Sequence, residues 1–257
     1  MIRNSLLAFS AIFIAGCATV APVSTPPYFP SNPTAVLLKH QGEIEATGSV
    51  STSGETFTAA YAPTPHLGLL ASGSMALHKS GEPNGNQYAG EIGIGLFDTS
   101  AKDLVEHEVY GSVGWGTGHN FQQSIFPGDP AYNIPPRVEQ TTDESILFWH
   151  AWLQADAGYA GKNGSFMVLV RFSFVNIYHD VLQNSMWDWD PYMGGPGYIN
   201  YTSSTLNRLY FITPGFEARI GFEHIQLKAS ILTFIGISGV EYNSPPILPS
   251  LGLSYKF

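Results

Sequence analysis

Apolar and polar residues alternate through most of this chain, most regularly in its last residues, 248–257. The odd positions carry large side chains and the even positions small or charged ones: Leu251, Leu253, Tyr255 and Phe257 against Ser250, Gly252, Ser254 and Lys256. A period of two places the two sets on opposite faces of an extended strand. The stretch therefore predicts a strand with one apolar face, in a membrane barrel or as the last strand of a soluble sandwich.

Further segments with the same alternation lie between residues 44 and 237, and turns rich in Gly, Pro and Asn separate them. Short connections at 62–66, 98–103, 160–165 and 219–223 alternate with longer ones at 79–86, 117–145 and 180–205. Short periplasmic turns and long outer loops are typical of outer-membrane barrels. We therefore predict an all-β fold: a closed antiparallel transmembrane β-barrel of about ten strands over residues 41–257, with about eight as the fallback. Pro214 lies inside one segment and predicts a local bulge, because proline removes a ladder donor.

Few charges and many aromatic residues are typical of a barrel wall that faces lipid: charged residues are 12% of the chain and aromatic residues 13%. The formal net charge of -9 offers no basic footprint, so we predict no nucleic-acid partner. Aromatic residues on the apolar faces fall in two tiers, as amphipathic rings do at lipid headgroups. The outer tier comprises Tyr88, Trp115, Trp149, Tyr178 and Tyr210, and the periplasmic tier comprises Tyr61, Tyr159, Phe166, Phe216, Tyr255 and Phe257.

The N-terminus has the pattern of an export signal, with Arg3 before the short apolar run Leu6–Ile14. The tetrad Ile14-Ala15-Gly16-Cys17 resembles the lipobox of bacterial lipoproteins, in which the cysteine becomes the acylated first residue. We therefore predict a lipoprotein signal peptide over residues 1–16 and lipidation of Cys17, the single cysteine of the chain. Residues 17–40 are rich in proline and predict an extended periplasmic tether. An ordinary secretory signal with an unmodified cysteine is the alternative.

The final strand resembles the C-terminal strand of bacterial outer-membrane β-barrels, which ends in an aromatic residue that the assembly machinery reads. Three short stretches, Gly42-Glu43, Ala59-Ala60-Tyr61-Ala62 and His66-Leu67-Gly68, resemble the first hairpin and turn of small lipidated outer-membrane β-barrel proteins of Gram-negative bacteria. The resemblance implies an outer-membrane location with an anchor on the periplasmic side. It also implies membrane lipid and the barrel assembly machinery as partners, and it transfers no catalytic motif.

The polar faces of the predicted strands carry charges of both signs together with bulky side chains. The predicted lumen charge network comprises Glu45, Glu91, Glu106, Asp156, Arg171, Glu217, Arg219 and Lys228, and Tyr110, Trp152, Phe211 and Phe234 share its faces. Charges away from water need partners, and about ten strands enclose little more space than side chains fill. We therefore predict a closed interior of paired charges, with a proton or ion path through a narrow pore as the alternative.

The segment between the seventh and eighth predicted strands is rich in exposed-type aromatic residues and carboxylates. Its candidate surface-binding residues are Trp187, Asp188, Trp189, Asp190 and Tyr192. Aromatic rings beside carboxylates suit stacking on an extracellular glycan or contact with a protein ligand. Two aspartates supply too few oxygens for a Ca²⁺ site. A loop that folds over the barrel mouth and packs its own aromatic residues is the alternative.

Histidines near the predicted outer rim are the candidates for catalysis, namely His78, His119, His150 and His179, with Asp180 beside the last. Outer-membrane proteases of the omptin type use Asp and His at that rim, but their paired acids and Asp-x-His arrangement are missing here. No Cys/His metal pattern and no phosphate-binding loop occurs, so we predict neither metal nor cofactor. The leading hypothesis is a non-enzymatic membrane protein with a structural or surface-interaction role through loops 117–145 and 180–205. A rim hydrolase that acts on peptides or lipid A through His179, Asp180 or His150 is the alternative.

Overall fold

The structure is a computed structural model that describes residues 31–78, 84–99, 105–126, 137–161, 163–190, 195–203, 207–222, 224–237 and 247–257. The predicted signal peptide 1–16 and Cys17 lie outside these ranges. Within them the regular elements are strands: β1 Ile44–Ser51, β2 Gly54–Tyr61, β3 Leu67–His78, β4 Asn84–Thr99, β5 Val105–Phe126, β6 Arg137–Gly161, β7 Gly164–Asp190, β8 Gly195–Ser203, β9 Asn207–Gly221, β10 Ile225–Thr233, β11 Ile235–Gly236 and β12 Ile247–Lys256. No helix in the described ranges is long and apolar enough to cross a membrane.

Antiparallel pairing closes these strands into a barrel. The order around the wall is β9-β10-β12-β1-β2-β3-β4-β5-β6-β7, and β7 pairs back onto β9 from Gly164 opposite Ile220 to Ile177 opposite Asn207. The predicted closed antiparallel barrel of ten strands is therefore confirmed. β8 adds to the far half of β7, outside the closed ring. We call the end with the short turns and the C-terminus the turn end, and the opposite end the loop end.

The two long loops predicted at 117–145 and 180–205 are wrong in their described parts, and residues 127–136, 191–194 and 204–205 lie outside the described residues. β5 and β6 pair through this region, with Asn120 opposite Glu144, and β7 and β8 pair from Leu182 to Asp190. The sequence hides these strand extensions because polar residues occur at both odd and even positions, as at His119, Asn120, Gln122 and Gln123, so no period of two is visible. An antiparallel ladder satisfies the backbone whichever side chains it carries, so the pairing continues where the alternation fades.

The bulge predicted at Pro214 is also wrong, because β9 stays in continuous register with β7 through Val170 opposite Pro214. The irregularity lies on the other side. β10 pairs with β9 up to Leu232 opposite Gly215, and pairing resumes in the same register with Ile235 opposite Ile212. The gap faces Pro214, which has no N–H to donate. β10 and β11 are therefore one strand that proline interrupts.

Side chains alternate between the lumen and the outer wall as the periodicity predicts. Glu106, Glu108 and Tyr110 of β5 are buried, whereas His107 and Val109 between them are exposed. Most exposed aromatic residues lie in one tier near the turn end or in another toward the loop end, and Phe57 and Phe172 are exposed between them. The two tiers are Tyr61, Tyr159, Phe166, Phe216, Tyr255 and Phe257, and Tyr88, Trp115, Tyr178 and Tyr210. The outer wall between the tiers is a continuous apolar belt.

Candidate functional site: the lumen and the segment inside it

Residues 31–39, which we call the plug segment, lie inside the barrel. Asn32 and every residue from Thr34 to Leu38 is buried, although none belongs to a strand. The described part of the predicted tether 17–40 therefore needs correction, because it occupies the lumen instead of running outside the barrel. The apolar run Val36-Leu37-Leu38 is the sequence signal for this burial, and it reads equally well as the beginning of a strand.

The plug segment runs along the barrel axis. At the turn end, Lys39 donates from Nζ to the carbonyl of Ala160 at 2.6 Å and pairs with Glu106 at 3.3 Å. At its other end, Asn32 donates from Nδ2 to Ser51 Oγ at 2.8 Å, at the tip of the β1–β2 hairpin. The segment thus crosses the lumen from the turn end to the tip of that hairpin.

Alternate residues of the plug segment pack against different parts of the wall. Val36 and Leu38 join a buried cluster with Ala60, Ala62, Leu70, Phe97, Tyr110 and Trp152. Ala35 and Leu37 join another cluster with Ala160 and Met167. Full burial of a Val or Leu side chain stabilises by roughly 1.5–3 kcal/mol, so these contacts favour the docked segment. Gly68 and Gly95 leave the space that the Tyr110 ring fills, because a Cβ at either would collide with it.

Lumen carboxylates accept the backbone N–H groups of the plug segment. Glu108 accepts from Val36 N at 3.1 Å and from Leu37 N at 2.6 Å. Glu217 accepts from Ala35 N at 3.3 Å and from the Thr34 hydroxyl at 3.0 Å. Buried backbone donors need partners, and these carboxyl oxygens are the partners of the Ala35, Val36 and Leu37 amides. Glu108 and Glu217 therefore supply the hydrogen-bond acceptors that a neighbouring strand would supply in a sheet.

Lumen donors likewise reach the carbonyl oxygens of the plug segment. Gln154 donates from Nε2 to Thr34 O at 2.8 Å, Arg219 donates to Ala35 O, and Lys256 donates to Leu37 O. Leu37 has a φ of 50°, in the left-handed region that branched residues rarely occupy. That conformation costs roughly 1–2 kcal/mol, which the contacts of the docked segment must offset.

Arg219 is the centre of a buried ion-pair cluster beside the plug segment. Its Nε lies 2.8 Å from Glu217 Oε1, and its Nη1 lies 2.5 Å from Glu45 Oε1. Lys228 pairs with the other oxygen of Glu217 at 3.1 Å, and Lys256 lies 3.7 Å from Glu45. Each charge in the cluster thus has an opposite charge in reach, the condition for keeping ions away from water.

A second polar cluster lies farther from the turn end. Glu91 accepts from Trp152 Nε1 at 2.7 Å and contacts His150 Nε2 at 2.9 Å. Arg171 donates from Nε to Gln154 at 2.8 Å, and its guanidinium carbon lies 4.0 Å from the centre of the Trp152 ring. The same guanidinium donates to Ser31 Oγ at 3.2 Å. Asp156 accepts from Gln154 at 2.8 Å.

Little space remains beside the plug segment. A cavity of about 10 Å³ lies among Thr34, Glu91, Trp152 and Arg171. That volume holds about one water molecule, so it is a site for a single bridging water. Side chains and the plug segment together fill this part of the lumen.

The structure places the residues predicted at the outer rim in different parts of the barrel. Trp187, Asp188, Trp189 and Asp190 end β7, where their backbone pairs with β8, and Tyr192 lies outside the described residues. His150 is buried in the lumen, so its predicted place at the rim is wrong. The alternation of β6 directs its ring into the lumen, where the ring centre lies 5.9 Å from that of Phe148.

His119 and His179 do not converge on one acid–base site. His179 is exposed whereas the neighbouring Asp180 is buried, so the two side chains lie on opposite faces of β7. His119 Nε2 lies 2.9 Å from Asp143 Oδ1 between β5 and β6, and His78 ends β3. Among the described residues, no group of three His, Cys, Asp or Glu side chains could hold a metal ion.

Glu144 lies on β6 beyond the aromatic tiers, toward the loop end. Burial raises the pKa of its carboxyl group to about 7, and the charge of Asp180 adds to the rise. An acid with this pKa changes charge near neutral pH. The group that titrates near neutral pH therefore lies in the part of the barrel that projects past the apolar belt.

No protein-family model and no curated protein matches this chain. Among solved structures, it is similar to the N-terminal β-barrel domain of Pseudomonas aeruginosa OprF, with 13% identity over 85% of this chain and 100% of that chain and a TM-score of 0.32. The KdgM porin in complex with oligogalacturonate gives 9% identity, coverage of 84% and 99%, and a TM-score of 0.34. The β domain of the Bordetella autotransporter BrkA gives 11% identity, coverage of 84% of this chain and 97% of that chain, and a TM-score of 0.27. Scores this low carry no argument, and the strand pairing itself defines the class: a closed β-barrel with an apolar outer wall and a filled lumen.

Proposed function

We propose that the protein is an outer-membrane β-barrel lipoprotein whose lumen is closed by its own N-terminal segment. The outer wall supports a membrane location, because it exposes 63% of Leu96 and 59% of Trp115. Lipid is the environment in which such a wall is stable, and closure removes the strand edges that hydrocarbon cannot satisfy. The usual rule for these barrels, with short turns on the periplasmic side, supports a periplasmic position for the turn end. Outer-membrane lipid and the assembly machinery are then its partners.

The single observation that carries the closed-lumen proposal is the bonding of the plug segment to Glu108 and Glu217. A backbone held by two carboxylates is bound in place, and it fills the space that a pore would need. Planar-bilayer recordings test this directly. We expect no large, steady conductance from the purified full-length protein, and such a conductance would place it in the pore class instead.

A matched variant makes the recording informative. In the double variant Val36→Asp and Leu38→Asp, two new charges replace side chains that are buried among apolar residues. Because burying unpaired charge is costly, the plug segment should leave the lumen and conductance should rise. Retained heat-modifiable migration on a gel shows that the barrel still folds. A folded variant that stays closed would contradict the plug as the element that blocks the lumen.

The second part of the proposal is a non-enzymatic, structural or surface-interaction role. β7 continues for 190 − 178 = 12 residues beyond Tyr178, the outer aromatic of that strand. At a rise of about 3.3 Å per residue this adds roughly 40 Å along the strand. The sheet of β5 to β8 therefore projects well past the belt and carries Trp187 and Asp188 near its end. An extracellular glycan or protein is the ligand class that this projection suits.

Binding can be tested with the projection removed. Replacement of residues 185–201 by a short turn shortens β7 and β8 and leaves the closed ring intact. The intact barrel should bind a member of a panel of surface glycans and secreted proteins, and the shortened form should lose that binding. Equal binding by both would reject the projection as the ligand site. Hydrolysis of peptides or lipid A that His179→Ala abolishes would instead favour the rim hydrolase.

A further inference from the structure

The plug segment shows a consistent direction when its contacts are ordered by height in the wall. Lys39 contacts Ala160, next to the turn that joins β6 and β7. Leu37 contacts Glu108, which is 108 − 105 = 3 residues into β5 from the turn end. Ser31 contacts Arg171, which is 171 − 164 = 7 residues into β7. Each step toward the N-terminus therefore moves away from the turn end.

The described N-terminal end of the plug segment lies beside a low part of the barrel wall, the tip of the β1–β2 hairpin. Asn32 bonds to Ser51 at 2.8 Å and Ser53 at 3.4 Å, at the tip of the β1–β2 hairpin. Each strand of that hairpin has 8 residues, against 27 in β7. Eight residues span about 26 Å along the strand and about 20 Å at the usual tilt of roughly 40°. An apolar belt is about 25 Å tall, so the hairpin tip lies close to the outer headgroups.

We infer that Cys17 and its acyl chains lie in the outer leaflet, so that the lipoprotein is threaded outward through its own barrel. This inference rests on the proposed function, because it takes the turn end as periplasmic and Cys17 as acylated. It reverses the sequence-based expectation of an anchor on the periplasmic side.

Chain length and packing favour the outer leaflet over the inner one. From Ser31 to Cys17 there are 31 − 17 = 14 residues, which reach at most roughly 46–50 Å when extended. The outer leaflet is adjacent to the hairpin tip and is easily within that reach. A return to the periplasm would need a second passage through the lumen beside Arg171 and Trp152, where the cavity is about 10 Å³. A second chain does not fit there.

Thiol labelling of intact cells tests the topology. A single cysteine is introduced at Ser24, between Cys17 and the plug segment, and cells are treated with a membrane-impermeant maleimide. The parent protein, whose acylated Cys17 has no free thiol, should stay unlabelled. Gln183→Cys, exposed on the projecting part of β7, is the matched outer control, and Asn163→Cys, exposed in the β6–β7 turn, is the periplasmic control. We expect Ser24→Cys to be labelled in intact cells as fully as Gln183→Cys.

Every other pattern overturns the inference, and the controls show why. If Ser24→Cys is labelled only after permeabilisation, as Asn163→Cys should be, residue 24 lies in the periplasm although the barrel orientation is right. If it is labelled only after heat denaturation, residue 24 lies in the lumen. If Asn163→Cys is labelled in intact cells and Gln183→Cys is not, the barrel orientation of the proposed function is itself wrong. Labelling of the parent protein would show that Cys17 is not acylated, which removes the anchor from both proposals.

Discussion

Replacement of Glu108 by Ala should release the plug segment locally. The carboxylate accepts from Val36 N and Leu37 N, so its loss leaves two buried donors without that acceptor. An unsatisfied buried donor costs about 1–3 kcal/mol, which gives roughly 2–6 kcal/mol for the pair. A water molecule that enters the space left by the side chain would satisfy one donor and bring the loss toward the lower end. Glu108→Gln keeps one acceptor oxygen for the two donors, so we expect about half the effect.

Amide hydrogen exchange of the peptide that spans residues 31–39 measures this loss. Because about 1.4 kcal/mol is tenfold in an equilibrium, a loss of roughly 2–6 kcal/mol should speed exchange by about 30-fold to 10⁴-fold. Glu91→Gln is the matched control, since Glu91 bonds to Trp152 and His150 and not to the amides of Val36 and Leu37. Unchanged exchange in a folded Glu108→Ala barrel would refute the bonding of the plug segment to this carboxylate.

Three further outcomes test other parts of the molecule. Arg171→Ala removes a bond to Gln154 and the stacking on Trp152, whereas Arg171→Lys removes the stacking but keeps the charge. Both variants should lower the midpoint of thermal unfolding, and the loss of stability should be about 1.5–3 kcal/mol, larger for Ala than for Lys. Alkyne fatty acid should label the wild type and not Cys17→Ala, and equal labelling would reject the lipobox prediction. The unfolded chain has the ordinary glutamate pKa of 4.5, whereas the folded pKa of Glu144 is about 7. Protonated Glu144 therefore contributes stability that is present below pH 4.5 and is lost as the pH rises through about 7. The stability of Glu144→Gln should depend less on pH across that range.

The barrel was predictable from the sequence because its apolar belt imposes a period of two. Val105, Val109 and Val113 all face outward, and a shift of one residue would turn Glu106 and Glu108 outward instead. The strand extensions beyond the belt carry no such constraint, and the interval 117–145 therefore resembled a loop. His150 was predicted at the rim for the same reason, because the loss of alternation indicates the end of β6, which in fact continues past it.

The plug segment was not predictable from its own pattern, because too few residues are involved to show a period. Val36-Leu37-Leu38 follows a proline-rich stretch and precedes β1, so local sequence gives an extended chain without a location. Its burial depends on acceptors that lie far away in sequence, 72 residues on for Val36 and 182 for Ala35. Only the closed wall brings those acceptors together.

The lumen charges nevertheless contain an indirect signal for the plug segment. The network predicted from sequence has five acids, Glu45, Glu91, Glu106, Asp156 and Glu217, against three bases, Arg171, Arg219 and Lys228. Glu108 and Lys256 add one of each sign, so acids remain in excess in a space that excludes water. Such an excess needs donors from elsewhere, and the plug segment supplies them: Lys39 to Glu106, and backbone N–H groups to Glu108 and Glu217. A surplus of lumen carboxylates in a small barrel is therefore a reason to look for a segment of the same chain inside it.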